Sequence, residues 1–169
     1  KGFMELNSPI PNFSLPDLQR NVHHLNQYRG EIVIVNFWSC ECPHSERTDN
    51  AIFSMFVQWR DDVVMLTIAS NRNETVEEIK NVSEARRIPN VWLDADCEIA
   101  NLFEAVTTPH VYVIDRDGIL RYRGAVDDVK FRQKIPTRFF LDEAIESLLA
   151  GHLPEIQESQ ALIVAERLI

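Results

Sequence analysis

The segment Ile32-Val33-Ile34-Val35-Asn36-Phe37-Trp38 narrows the choice of fold more than any other stretch of the chain. It is almost unbroken in apolar, mostly β-branched residues, and a strand of that kind has no face left for water. It predicts an inner strand of a parallel sheet, covered by helices on both sides. A helix follows at once. After Cys42-Pro43 the residues Ile52, Met55, Phe56 and Trp59 recur at the spacing of one helical face, and Pro43 suits the first helical position, where its missing N–H costs nothing. Cys42 is then the N-cap.

Strand and helix keep alternating downstream. Val63 to Ala69 reads as a second buried strand, and Thr75-Val76-Glu77-Glu78 has the spacing of a capping box opening a helix that Ile88-Pro89 ends. Val91 to Leu93 is a short strand and Glu98 to Phe103 a short helix. His110 to Ile114 is a further strand that turns at Arg116-Asp117-Gly118 into Ile119 to Tyr122. Leu141, Ala144, Ile145 and Leu148 line one face of a last helix closing near Gly151. Ahead of the first strand, residues 9–30 read as an irregular hairpin laid against the body. Right-handed crossovers make the early strands parallel, whereas the final hairpin is antiparallel. The expectation is one α/β domain over residues 1–150, with a central mixed sheet flanked by helices and an N-terminal hairpin extension. Residues 151–169 form a tail without an assigned role, and its apolar run Ala161 to Ala165 packs either on the domain or on a second subunit, which leaves a homodimer open.

Charge removes several classes of partner. With 26 acidic against 17 basic side chains the net charge is -9, which favours neither nucleic acid nor anionic lipid. Apolar runs such as Ile32 to Val35 and Val63 to Leu66 fall far short of the roughly 18 residues a membrane span needs. The start Lys1-Gly2-Phe3-Met4 lacks the apolar core of a signal peptide, so a cytoplasmic location is the expectation, or an extracytoplasmic one if a leader has been removed. Three cysteines cannot all pair internally.

In sheets of this kind the working edge lies beyond the carboxyl ends of the parallel strands. Cys40 and Cys42 follow the first strand there, and Cys97 follows the short strand Val91 to Leu93. Cys42-Pro43-His44-Ser45 is the informative tetrapeptide. A thiol at a helix N-terminus faces unsatisfied N–H groups and the positive end of the dipole, both of which favour the reactive thiolate, and a protonated His44 adds to this.

Val35-Asn36-Phe37-Trp38-Ser39-Cys40-Glu41-Cys42-Pro43 resembles the strand-to-helix junction of thioredoxin-fold redoxins of the TlpA/ResA and AhpC/TSA groups. Pro9 to Phe13 resembles their N-terminal Pro-Asp-Phe segment. Thr107-Thr108-Pro109, followed by Val111 to Gly118, resembles their cis-proline loop, strand and turn, and Tyr122 to Asp128 resembles a segment of peroxiredoxin-like and thiol-disulfide isomerase redoxins. The resemblance implies a thioredoxin fold with Cys42 as nucleophile and Pro109 as a cis-proline whose neighbour Thr108 offers backbone groups to the substrate. Trp38, beside the active loop, joins that substrate-binding set or walls the core. A thiol or disulfide protein substrate and an external thiol reductant are implied as partners, with no cofactor and no metal.

One departure shapes the chemistry. A dithiol oxidoreductase has Cys-x-x-Cys, and here Ser45 stands at the second position. Ser45 can hydrogen-bond a Cys42 thiolate but cannot attack a mixed disulfide, so the expected function is thiol-disulfide exchange at a single cysteine of a Cys-x-x-Ser motif, with Cys40 and Cys97 as possible resolving thiols. A thiol peroxidase is the enzyme alternative: Ser39 fits that motif, but Val35 replaces its proline and Pro109 stands at the place of its arginine. A redox-inactive thioredoxin-like binding module is the non-enzyme alternative. A copper site of Cys40, Cys42 and His44 or His110 lacks the wider cysteine spacing of Sco-like metallochaperones. Elsewhere His23-His24 reads as a solvated pair and His110 as the start of a strand. Glu46 and Asp49 read as a solvated face of the first helix, with Glu46 near enough to relay protons.

Overall fold

The computed structural model describes residues 4–105, 110–129 and 133–160. A short antiparallel ribbon, β1 (Ser14–Pro16) and β2 (Val22–His24), leads into β3 (Ile32–Trp38). There follow α1 (Pro43–Trp59), β4 (Val63–Ala69), α2 (Val76–Arg86), β5 (Val91–Leu93) and α3 (Glu98–Leu102). The antiparallel pair β6 (His110–Ile114) and β7 (Leu120–Gly124) and the helix α4 (Phe140–Leu149) complete the described strands and α-helices. The main sheet has the order β5-β4-β3-β6-β7, parallel from β5 to β3 and antiparallel through β6 and β7.

β3 is the middle strand, and all of its residues are buried. Because successive side chains point to opposite faces, the strand feeds two separate cores. Val33, Val35 and Phe37 join Leu66, Ile68, Trp92 and Tyr112 under α3 and the N-terminal ribbon. Ile32 and Ile34 join Met65, Val113 and Tyr122 beneath α1 and α4, through Ile52, Trp59, Leu141 and Ile145. A third, smaller cluster of Trp38, Cys40, Ala69, Ile79, Ile88 and Val91 seats α2 over the strand ends. Thr75 caps α2 with the reciprocal Thr75–Glu78 bonds its spacing predicts.

His24 is exposed, as expected of a solvated pair, while His23 is partly buried and helps to pin the ribbon. His23 stacks on Trp92 with centroids 5.5 Å apart and bonds Asp17 at 2.7 Å, while His24 Nδ1 lies 2.5 Å from Ser14 Oγ. Tyr28 stacks on Trp92 as well, with centroids 6.0 Å apart.

Beyond α4 the chain returns to the sheet edge. Arg123 N–H donates to Gln157 O and Ser159 N–H to Arg123 O, which lays this stretch parallel to β7, and the Ser159 hydroxyl reaches Tyr122 and Ala125. Gly124 makes that approach possible. A Cβ there would collide with the Ser159 carbonyl oxygen, and its φ of +142° is one L side chains rarely adopt. Gly124→Ala is therefore expected to cost about 2 kcal/mol or more, or to lift residues 157–160 off the sheet. Urea denaturation with protease mapping of the tail checks this; unchanged stability with a resistant tail would contradict the contact.

Candidate active site

Four residues, Ser39 to Cys42, connect the end of β3 to the first turn of α1. The connection is knitted to the helix by short bonds. Ser39 N–H donates to Ser45 Oγ (3.3 Å), Cys42 N–H to Ser39 O (3.3 Å) and Ser45 N–H to Cys42 O (3.1 Å). Cys42 and Ser45, three residues apart, therefore share one side of the first helical turn. Both are buried, Cys42 with 2 % of its surface exposed. No disulfide joins Cys40, Cys42 or Cys97.

Half-buried His44 opens on a shallow groove lined also by Arg47 and Thr48 of α1, Val111 of β6 and the segment Gly124–Asp127. Arg47 clamps the far side of this groove through two bonds to Asp127, of 2.9 and 3.0 Å. Thr108 and Pro109, which carry the expected cis-proline loop, lie outside the described residues.

Two buried carboxyl groups, Glu74 and Asp49, support the loop. Glu74, immediately before the N-cap of α2, accepts bonds from the Ser39 hydroxyl, from Cys40 N–H (3.1 Å), from Glu41 N–H (3.3 Å) and from Asn71 Nδ2 (3.0 Å). Asp49 corrects the reading of a solvated helix face. Only 1 % of it is exposed, and it accepts from Trp38 Nε1 at 2.6 Å and from Asn36 Nδ2 at 3.1 Å. Burial pushes its carboxyl up to about 6 against the opposing effect of those two bonds. Glu46 does remain exposed, 3.5 Å from Arg86. Trp38 is wholly buried beneath the loop, so it has no surface to offer a substrate and acts as a wall that orients Asp49.

Burial raises the pKa of both other thiols. Burial, then the neighbouring Glu74, then Glu41 and Glu78, push the Cys40 thiol up to about 12. Cys97 is buried in the core on the ribbon side, its Sγ donates to Ser70 O at 2.9 Å, and burial raises its pKa as well. Cys40 lies instead in the cluster under α2, so the two candidate resolving thiols occupy different cores. His110 begins β6 as expected. It stacks on Tyr112 at 4.7 Å, and burial, with Arg123 nearby, brings its pKa down to about 4. Among the described residues no group of three or more His, Cys, Asp or Glu is placed to hold a metal ion, and no helix is long and apolar enough to cross a membrane.

Comparison with known proteins agrees with this architecture. The chain is similar to the thiol-disulfide oxidoreductase ResA of Bacillus thuringiensis, at 27% identity over 116 residues, which cover 68% of this chain and 66%, just under two thirds, of the relative. It is also similar to the thiol:disulfide interchange protein DsbE of Pseudomonas aeruginosa, at 27% identity over 148 residues, covering 82% of this chain and 78% of the relative. Among solved structures, a conserved protein of Geobacillus kaustophilus superposes with a TM-score of 0.80 at 24% identity, over 97% of this chain and 95% of its own. The thioredoxin domain of a Bacteroides vulgatus thiol-disulfide oxidoreductase gives 0.59 at 23% identity, over 69% of this chain and 86% of its own. The fold is thus the thioredoxin fold. Residues 6–123, more than half of the chain, match the pattern of the AhpC/TSA family. That stretch carries the N-terminal ribbon, the five strands of the sheet except the last residue of β7, and the Cys40–Cys42 loop, and the chain belongs to the AhpC/TSA family.

Proposed function

We propose that this redoxin performs thiol-disulfide exchange through Cys42 alone, on a protein thiol or disulfide. The observation that carries the reading is the placement of Cys42 at the sheet's carboxyl edge, one residue before α1, with Ser45 where a dithiol enzyme has its second sulfur. The names of the ResA and DsbE relatives support the same reaction class.

The Cys42 thiolate attacks one sulfur of a substrate disulfide, forms a mixed disulfide and releases the other sulfur as thiolate. Ser45 has no sulfur with which to open that bond. An external thiolate then attacks the substrate-side sulfur, takes the substrate into a new disulfide and returns Cys42 as thiolate. Over one cycle the substrate disulfide has exchanged a partner and the protein is unchanged, so the second partner is a small or protein thiol. The groove beside His44, bounded by Arg47 and Val126, is the proposed seat of the substrate segment next to the reacting sulfur.

Exchange between a disulfide-linked peptide and reduced glutathione is expected to be faster with the protein present. Cys42→Ser should remove about a hundredfold or more of that acceleration, while Cys97→Ser should leave it within about twofold. Consumption of the Cys42 thiol by hydrogen peroxide as fast as by the disulfide would favour a peroxidase instead.

A further inference from the structure

We propose that Glu74 is a positioning residue that makes this a one-cysteine site: its carboxylate holds the Ser39–Glu41 loop and sets a negative charge against the Cys40 thiol, so that of the two loop cysteines only Cys42 reacts. The inference rests on Cys42 being the reacting thiol and adds what keeps its neighbour silent.

The geometry is specific to the loop. Of the four donors that converge on Glu74, three belong to Ser39, Cys40 and Glu41, and the fourth, Asn71 Nδ2, comes from the same turn as Glu74. A carboxylate is the acceptor-only side chain that can serve all four, whereas an amide would aim an NH2 group at some of them. Glu74 cannot drift away, because the next residue is Thr75, the N-cap of α2, closed by its capping box. The Cys40 backbone N–H, 3.1 Å from Glu74 Oε1, brings the same carboxylate against the residue that bears the thiol.

The remaining charges around Cys40 do not cancel this one. Glu41 on its own loop and Glu78 in the first turn of α2 act in the same direction as Glu74. Arg86, in the last turn of α2, donates to the Cys40 carbonyl at 3.4 Å and sits 3.5 Å from Glu46 of α1. Burial and these acids push the thiol up to about 12, with Glu74 the largest single neighbour.

The consequence concerns what happens to a substrate on Cys42. A Cys40 thiolate could attack the Cys42 sulfur of the mixed disulfide, close a Cys40–Cys42 bond and expel the substrate as thiolate, with no external thiol required. Kept as a thiol, Cys40 does not attack, and the adduct waits for an incoming partner.

The test uses the full chain with carbon-13 in the cysteine Cβ, as wild type, Glu74→Gln, Glu74→Asp and Glu74→Gln/Cys40→Ser, each checked for folding. In wild type the Cys40 Cβ shift is expected to stay that of a thiol up to about pH 10, whereas in Glu74→Gln it should titrate with a midpoint near or below about pH 10. Glutathione placed on Cys42 should leave Glu74→Gln at least about tenfold faster than wild type, with a Cys40–Cys42 disulfide as product, and the Cys40→Ser double variant should lose that gain. Glu74→Asp, which keeps the charge but draws it back by one methylene, should fall between the two, and it carries the test if Glu74→Gln does not fold. A Cys40 shift that titrates in wild type as it does in the folded variants would overturn the proposal, as would release that stays equally slow in all of them. If glutathione settles on a cysteine other than Cys42, the functional reading fails, yet the Cys40 titration still decides the role of Glu74.

Discussion

Glutathione carried on Cys42 as a mixed disulfide is expected to leave a Ser45→Cys chain roughly a hundredfold faster than it leaves the wild type, because a neighbouring thiol acts at a high effective concentration. The geometry for this already exists. Ser45 N–H donates to Cys42 O at 3.1 Å, so residues 42 and 45 share the first turn of α1, and both side chains are buried at the same corner of the sheet. Ser and Cys are close in shape, and the exchange weakens one modest contact, the 3.3 Å bond that Ser45 Oγ accepts from Ser39 N–H, at a cost of about 1 kcal/mol. Intact-mass measurement over time follows both the loss of glutathione and, by a loss of two hydrogens, the closing of a disulfide between Cys42 and the introduced thiol. A folded variant that releases glutathione no faster than wild type would mean that position 45 does not face the Cys42 sulfur.

The second large effect lies under the loop. Asp49 has its carboxyl raised from the ordinary 3.8 to about 6 by burial, so the folded chain holds this proton more tightly than the unfolded chain does. The contribution to stability is therefore complete below about pH 4 and is lost as the pH rises through about 6, by about 3 kcal/mol at roughly 1.4 kcal/mol per pH unit. Asp49→Asn imitates the protonated form. The Oδ1 atom of Asn36 is buried without a hydrogen-bond partner, and turning that amide over would let it accept from the NH2 group introduced at position 49 while Trp38 Nε1 keeps its acceptor. Urea denaturation of both proteins from pH 4 to pH 8 isolates the effect from the other acids that titrate in the same range. The stability of wild type relative to the variant should fall by about 3 kcal/mol across that window, and a constant difference would show that Asp49 keeps an ordinary carboxyl.

Local patterns in the sequence account for most of the fold and for only part of the site. The unbroken apolar run of β3, Pro43 at the start of α1, the Thr75–Glu78 capping box and the turn through Gly118 are each written in a few adjacent residues, and each appears where those residues require it. Glu74 carries no such mark. Its loop partners lie 33 to 35 residues earlier, and next to Thr75 it reads as one more acid at a helix start. Arg47 and Asp127 are 80 residues apart and meet only because β7 returns to the edge where α1 begins. Asp49 is different, since its burial was available from the spacing. Ser45, Asp49, Ile52, Met55 and Trp59 follow one another by three or four residues along the buried stripe of α1, so a charged side chain at 49 had to enter the core and find donors there. Trp38 likewise sits on the face of β3 that points toward α1, opposite Phe37, which places it behind the loop and away from solvent.

The identity of the reacting sulfur is decided by where a small disulfide lands. The fully reduced chain is treated at neutral pH with a limiting amount of oxidised glutathione, quenched with acid and mapped by peptide mass. One glutathione per chain is expected on the peptide carrying Cys42, with Cys40 and Cys97 recovered as thiols and the adduct absent from Cys42→Ser. Glutathione found first on Cys40 or Cys97, or an undiminished adduct in Cys42→Ser, would contradict the assignment to Cys42.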